Sequence, residues 1–284
     1  MPYSICTVAN APIRNSSTHT SEMLSQLLFG EVVEILTTKG RLWVKVRTCD
    51  DNFVGWVDAS QVHSIEEDLL ETYLHDFAFV LDFFQPIHAG NSFIPLTIGS
   101  RLPRFDGMQF SVNGQKLTFS GRAVFPKDIQ ADSEMLVKLA KKYINTPYLW
   151  GGRSAMGIDG DGFVQIVTRM LNIRMPREAD AQINLGENVA FVEQAEPGDI
   201  AFFENKRGRI VHSGFVLEDQ KIIHAYGKVR LDRLDHYGIF NENDQRYTHR
   251  LRIIKRILAP SEKKIIHEPP ISKRELNQMQ LNLK

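Results

Sequence analysis

The sequence predicts an α+β protein, on three observations. Short runs of β-branched and aromatic residues, broken by turn residues, fill residues 1–128. Two stretches with apolar residues at helical spacing follow Asp132, and short apolar runs return after Gly198. At about 150 residues per domain, 284 residues make roughly two domains, and small β modules raise that to three. With 43% hydrophobic and 24% charged residues the chain is expected to fold around sizeable cores. Lys plus Arg and Asp plus Glu both count 34, so no bulk electrostatic attraction draws the chain to nucleic acid or an anionic membrane. Cys6 and Cys49 are the only cysteines and give neither a disulfide scaffold nor a zinc spacing, so neither a metal nor another cofactor is expected. The first residues lack a basic-then-apolar leader and no apolar run reaches about 18 residues, which reads as a cytoplasmic chain with no membrane span.

In the first module, residues 1–66, the strand signals are Val32-Val33-Glu34-Ile35-Leu36, Leu42-Trp43-Val44-Lys45-Val46 and Phe53-Val54-Gly55-Trp56-Val57. Three such strands suggest a small barrel. Residues 63–71 are charged and read as a helical or linker connection. The second module, residues 72–128, begins with Phe77-Ala78-Phe79-Val80 and Phe93-Ile94-Pro95-Leu96. It carries a hairpin signal in which Met108, Phe110 and Val112 alternate, Asn113-Gly114 turns, and Leu117 and Phe119 alternate back. A third domain, residues 130–258, opens with a helix capped by Ser133 and carrying Leu136, Leu139, Ala140 and Tyr143. A second helix is expected from Gly162, with Phe163, Ile166, Val167, Met170 and Leu171 on one face, and a short third one around residues 178–184. Ile200-Ala201-Phe202-Phe203 and residues 211–217 and 221–225 read as an antiparallel sheet packed on those helices. Residues 259–284 read as a polar tail.

The densest motif is Asn145-Thr146-Pro147-Tyr148-Leu149-Trp150-Gly151-Gly152-Arg153-Ser154, continued by Gly157-Ile158-Asp159-Gly160-Asp161-Gly162-Phe163. In the same order come Met175-Pro176-Arg177, Gln182, Pro197-Gly198-Asp199, Val211-His212-Ser213-Gly214 and Ile223-His224-Ala225. Over residues 132–258 this series resembles the NlpC-type family of papain-like cell-wall cysteine peptidases. The first two modules resemble the bacterial SH3-like domains that precede such peptidases in some members. The resemblance implies two small SH3-like barrels followed by a papain-like domain. It places His212 as general base, His224 as the group orienting it, and Tyr148 near the oxyanion.

The nucleophile slot, however, holds Gly160, and glycine has no atom with which to form an acyl-enzyme. Asp161 stands where the family shows Ser, a carboxylate that suits a helix N-terminus as a cap and would attract an ammonium. Phe53 stands where members show a Tyr that helps to hold a free amine, so its hydroxyl is absent. Asp159, Asp161, Phe53, Arg153 and Ser154 are assigned by the resemblance to the ligand side of the site. Phe163 and Met156 are the side chains expected to fill the space that a thiol would occupy. The leading expectation is an inactive homologue of γ-D-glutamyl-L-diamino acid endopeptidases that binds a peptide or muropeptide of the L-Ala-γ-D-Glu-diamino acid type. Three alternatives stand beside it. They are an active endopeptidase in which Gly160 is an introduced substitution, a metal-assisted hydrolase on Asp161, His212 and His224, and an interaction scaffold built on the SH3-like modules.

Overall fold

A computed structural model describes residues 3–258, and the expected polar tail lies outside them. The first module has seven strands: β1 (Tyr3–Cys6), β2 (Asn10–Arg14), β3 (Met23–Leu28), β4 (Val32–Lys39), β5 (Trp43–Thr48), β6 (Val54–Asp58) and β7 (Val62–Ser64). They form one antiparallel sheet in the order β3-β2-β6-β5-β4-β1-β7 around Ile13, Val33, Val46 and Val57. The three strands read from the sequence are its middle and the other four close around them. Helix α1 (Leu70–His75) then turns the chain into the second module, so the charged connection is partly helical.

The second module holds β8 (Phe77–Val80), β9 (Phe84–Ala89), β10 (Ser92–Thr97), β11 (Arg101–Pro103), β12 (Gln109–Val112), β13 (Gln115–Thr118) and β14 (Ala123–Val124). They make two small sheets, ordered β10-β9-β13-β12 and β11-β8-β14. The predicted hairpin is present: Asn113 and Gly114 both have positive φ, 49° and 75°, as a type I′ turn requires. Phe110, Val112, Leu117 and Phe119 are buried, but Met108 precedes the strand and is 61% exposed. Ile5, Phe29 and Val32 of the first module share the second module's core, so the two pack as one body.

In the third domain α2 (Ser133–Lys142) is capped one residue earlier than expected, by Asp132, whose carboxylate accepts from Met135 N at 2.8 Å. The short strands β15 (Arg153–Ser154) and β16 (Gly157–Ile158) lead into α3 (Gly160–Met170), which starts two residues before the expected Gly162. Next come α4 (Ala179–Gln182), β17 (Glu187–Val189), β18 (Ile200–Glu204), β19 (Ile210–Leu217), β20 (Lys221–Tyr226), β21 (Lys228–Asp235), β22 (Gly238–Asn241) and β23 (Arg246–Arg256).

The sheet order is β17-β23-β18-β19-β20-β21-β22, and β22 also pairs with β23, so six strands close on themselves. Closure explains why β18 reads as a continuous apolar run. Ile200 and Phe202 face α2 and α3, whereas Ala201 and Phe203 fill the barrel with Val216, Ile222, Leu234 and Ile239.

One carboxylate fastens the first module to this domain. Glu31, 2% exposed, sits in the turn between β3 and β4 and accepts two bonds from the Arg153 guanidinium, at 2.9 and 3.0 Å, together with one from Arg169. Arg153 N also donates to Gln26 Oε1 at 2.9 Å, and Arg177 Nε to Ser25 Oγ at 3.1 Å. Gly151 has φ 75°, and a Cβ there would strike the Met23 carbonyl, so the Gly-Gly pair serves turn geometry and close approach. Among the described residues, removing the anion leaves Arg153 with only the Gln26 carbonyl at 2.8 Å and Arg169 with only Asp50 at 3.4 Å, both arginines being buried. Glu31→Gln is expected to lower stability by about 3–5 kcal/mol, read as a shift in the urea unfolding midpoint.

Candidate functional site

The site forms where the N-terminus of α3 meets β19 and β20. Asp159 caps α3: its Oδ1 accepts from Gly162 N at 2.7 Å and its Oδ2 from Gly151 N at 2.9 Å. The same Oδ2 accepts from Arg177 Nη2 at 2.6 Å, so the carboxylate expected to face an amine already takes three protein donors. Asp161, expected as cap or ligand contact, is not the cap. It lies in the first turn, where Oδ2 accepts from Ala179 N at 3.0 Å and Oδ1 from Ser213 Oγ at 3.4 Å. Burial, reinforced by the Asp159 charge, pushes its carboxyl up to about 6.

His212 on β19 and His224 on β20 fall on the side of Val216 and Ile222, at the end of the barrel interior. They form a relay with an acid the sequence reading missed. His224 Nε2 lies 2.9 Å from Asp232 Oδ2, and His212 Nε2 lies 2.9 Å from His224 Nδ1. Because the Asp232 carboxylate only accepts, His224 donates through Nε2 and receives at Nδ1. His212 therefore donates through Nε2 and keeps a lone pair on Nδ1. Arg230 holds Asp232 in turn, with Nη2 donating at 2.9 Å. Burial pushes His212 well below its ordinary range, helped by His249 and His224, and lowers His224 against the opposing pull of Asp232.

The Nδ1 of His212 faces Gly160. A Cβ built on Gly160 would lie 2.8 Å from His212 Nδ1 and 3.0 Å from its Cε1, so the imidazole occupies the space of the missing side chain. Neither expected filler does so: Phe163 belongs to the core on the helix side and Met156 is exposed. A neutral imidazole also follows from the same loss, since no thiolate is present to hold a proton on the ring.

The remaining expected residues divide. Tyr148 is partly exposed, and burial and the nearby Asp159 and Asp161 raise its phenol. Phe53 packs against the first module's own core. Arg153 and Ser154 are buried; Arg153 sits in the Glu31 cluster and lines a cavity of about 680 Å³ together with Asp50, Asp51, Arg101 and Arg169. Sequence reading passed over His249 as well. Its ring stacks on His212 with centroids 4.2 Å apart, and burial pushes it down to about 4. No periodic signal marks it, because register shifts in β23 opposite Phe202/Phe203 and Ile239/Phe240 break the alternation on either side of His249. Ring nitrogens of His212, His224 and His249 gather within 4.8 Å of one another, and Asp161 of the expected Asp161, His212 and His224 set is not among them.

Residues 145–249 match the NlpC/P60 family, and residues 13–62 match the bacterial dipeptidyl-peptidase SH3 domain. A gamma-D-glutamyl-L-lysine dipeptidyl-peptidase of Bacillus subtilis (strain 168) is 25% identical over 220 residues, covering 71% of this chain and 71% of its own. One from Bacillus cereus (strain ATCC 10987 / NRS 248) is 25% identical over 232 residues, covering 73% and 68%. Among solved structures, an NlpC/P60 family protein from Bacillus cereus ATCC 10987 superposes with TM-score 0.76 at 20% identity, over 90% of this chain and 100% of its own. An NlpC/P60 endopeptidase from Photobacterium damselae subsp. piscicida superposes with TM-score 0.69 at 16% identity, over 89% and 70%. These two superpositions cover the first modules as well as the last domain.

Two predictions follow from the geometry. Gly160→Ala is expected to lower stability by about 1 kcal/mol in urea unfolding, because an overpacking cost of roughly 1–3 kcal/mol exceeds the helix-propensity gain. The Asp161 carboxyl is raised from 3.8 to about 6, so its contribution is complete below 3.8 and is lost as pH rises through about 6. Asp161→Asn is therefore expected to gain stability relative to the unsubstituted chain across that window, as denaturation at successive pH values will read.

Proposed function

We propose that this chain, an NlpC/P60 domain behind a bacterial dipeptidyl-peptidase SH3 domain and homologous to gamma-D-glutamyl-L-lysine dipeptidyl-peptidases, is a non-hydrolytic binder of cell-wall-derived peptide. Its ligand is a peptide of the L-Ala-γ-D-Glu-diamino acid type, taken at the N-terminus of α3. The observation that carries the reading is Gly160, whose missing side-chain space holds the His212 imidazole. Thiol hydrolysis needs a nucleophile there, and among the described residues no other side chain stands in for it. Ser213 Oγ donates to Asp161. Cys6 and Cys49 both lie in the first module, where burial pushes their thiols up to about 12 and about 11.

What remains supports binding. Asp161 is ionised at neutral pH, because its carboxyl titrates near 6, and it is the anion at this end of α3 not spent on an arginine. Ionised, it attracts a peptide ammonium. Tyr148 and Trp150 are exposed on the loop before α3, and Tyr226 packs on His249 with ring centroids 5.1 Å apart, which borders the site with aromatic surface. The interaction-scaffold reading draws on no comparable feature, since the first module's inner surface is spent on Arg153, Arg169 and Arg177.

The test is a proton NMR time course of the metal-free protein with an equimolar amount of L-Ala-γ-D-Glu-meso-diaminopimelate. Broadened peptide signals with no product are expected. Either release of product or peptide lines as sharp as in buffer would overturn the reading.

A further inference from the structure

The three imidazoles at the end of the barrel do more than survive from a catalytic relay. His212, His224 and His249 each bring a ring nitrogen within 4.8 Å of the other two. The three rings lie against one another, and because the His212 and His249 faces are stacked, one of these two rings turns when both point at one ion. His212 stacks on His249 at 4.2 Å and 24°, and His224 stands edge-on to both, at 5.1 and 5.8 Å.

Two of the rings already have their outer nitrogen engaged by oxygen. His224 Nε2 donates to Asp232, and His249 Nδ1 lies 2.9 Å from Thr248 Oγ1. A hydrogen bond on one ring nitrogen fixes the tautomer and aims the other, which is how metal-bound histidines are oriented, most often by a carboxylate. The free nitrogens are then His224 Nδ1 and His249 Nε2, and His212 Nε2 is 2.9 Å from the first of them. Three neutral imidazoles with no thiol and no carboxylate among them make a donor set that suits zinc, copper or nickel and not calcium or magnesium. In an active thiol peptidase His212 would have to stay free as the base, whereas with Gly160 that requirement is gone.

We infer that His212, His224 and His249 together bind one divalent transition-metal ion of the zinc class. Binding replaces the hydrogen bond between His212 and His224, and the His212 ring proton moves from Nε2 to Nδ1, so no proton is lost and nothing is oxidised. The inference goes beyond the peptide reading and does not depend on it. Asp232 and Thr248 are positioning residues for the site, acting through the rings they hold.

The full chain, freed of any affinity tag and stripped with a chelator, is titrated with Zn²⁺ alone by calorimetry and with Co²⁺ alone by visible absorption. One equivalent of each is expected to bind, and Co²⁺ to give the ligand-field bands of a low-coordinate nitrogen site. His249→Gln keeps the core intact, because His249 is only partly buried, and is expected to weaken Zn²⁺ binding about tenfold or more. His75→Gln, on exposed surface away from the cluster, is expected to leave it unchanged. No saturable binding, or one equivalent bound equally well by His249→Gln, would overturn the inference. Neither result touches the peptide titration, which is carried out without metal.

Discussion

Much of the third domain's geometry hangs on a single buried carboxylate. Glu31 comes from the turn between β3 and β4, yet it serves Arg153 and Arg169 of the other domain. Two guanidiniums removed from water need an anion, and the fold supplies it from a neighbouring module. Arg153 sits just before α3 and Arg169 near its end, so one interaction sets both ends of the helix that carries residue 160. Around it, Gln26 grips the Arg153 backbone and Ser25 meets Arg177, which in turn holds the cap Asp159. The first module is thus part of the site's foundation.

On that foundation a relay of three side chains stands beside residue 160. The chain from Asp232 through His224 to His212 is fully hydrogen-bonded and leaves a lone pair on His212 Nδ1, the form a general base needs. A histidine base acts only on a proton it can reach, and residue 160 offers none. Without a thiolate, burial and mutual proximity keep all three imidazoles neutral. The neighbouring Asp161 adds a carboxylate in the first turn of α3. An anion at this helix end opposes the negative charge that develops in acyl transfer and favours a cation instead.

The sequence by itself determined the α+β class, the order of β modules and papain-like domain, the Asn113-Gly114 hairpin and the pairing of His212 with His224. Each is carried by a local pattern: period two, period 3.6, a turn dipeptide, or a motif in order. It also fixed the central chemical fact, since the absence of a side chain at Gly160 needs no structure to read. The tertiary structure decided whatever depends on distant residues meeting. Closure of β22 onto β23 gives β18 two buried faces and brings His249 beside His212. Asp232, eight residues after His224, becomes its partner only because β20 and β21 pair in register. Arg153 and Ser154, which the motif places at the site, are turned inward because the Glu31 carboxylate is there to receive a guanidinium. Which of the two aspartates caps the helix was likewise decided in three dimensions, where Asp159 accepts from Gly162 N and from Arg177, 18 residues away along the chain and 2.6 Å away in space.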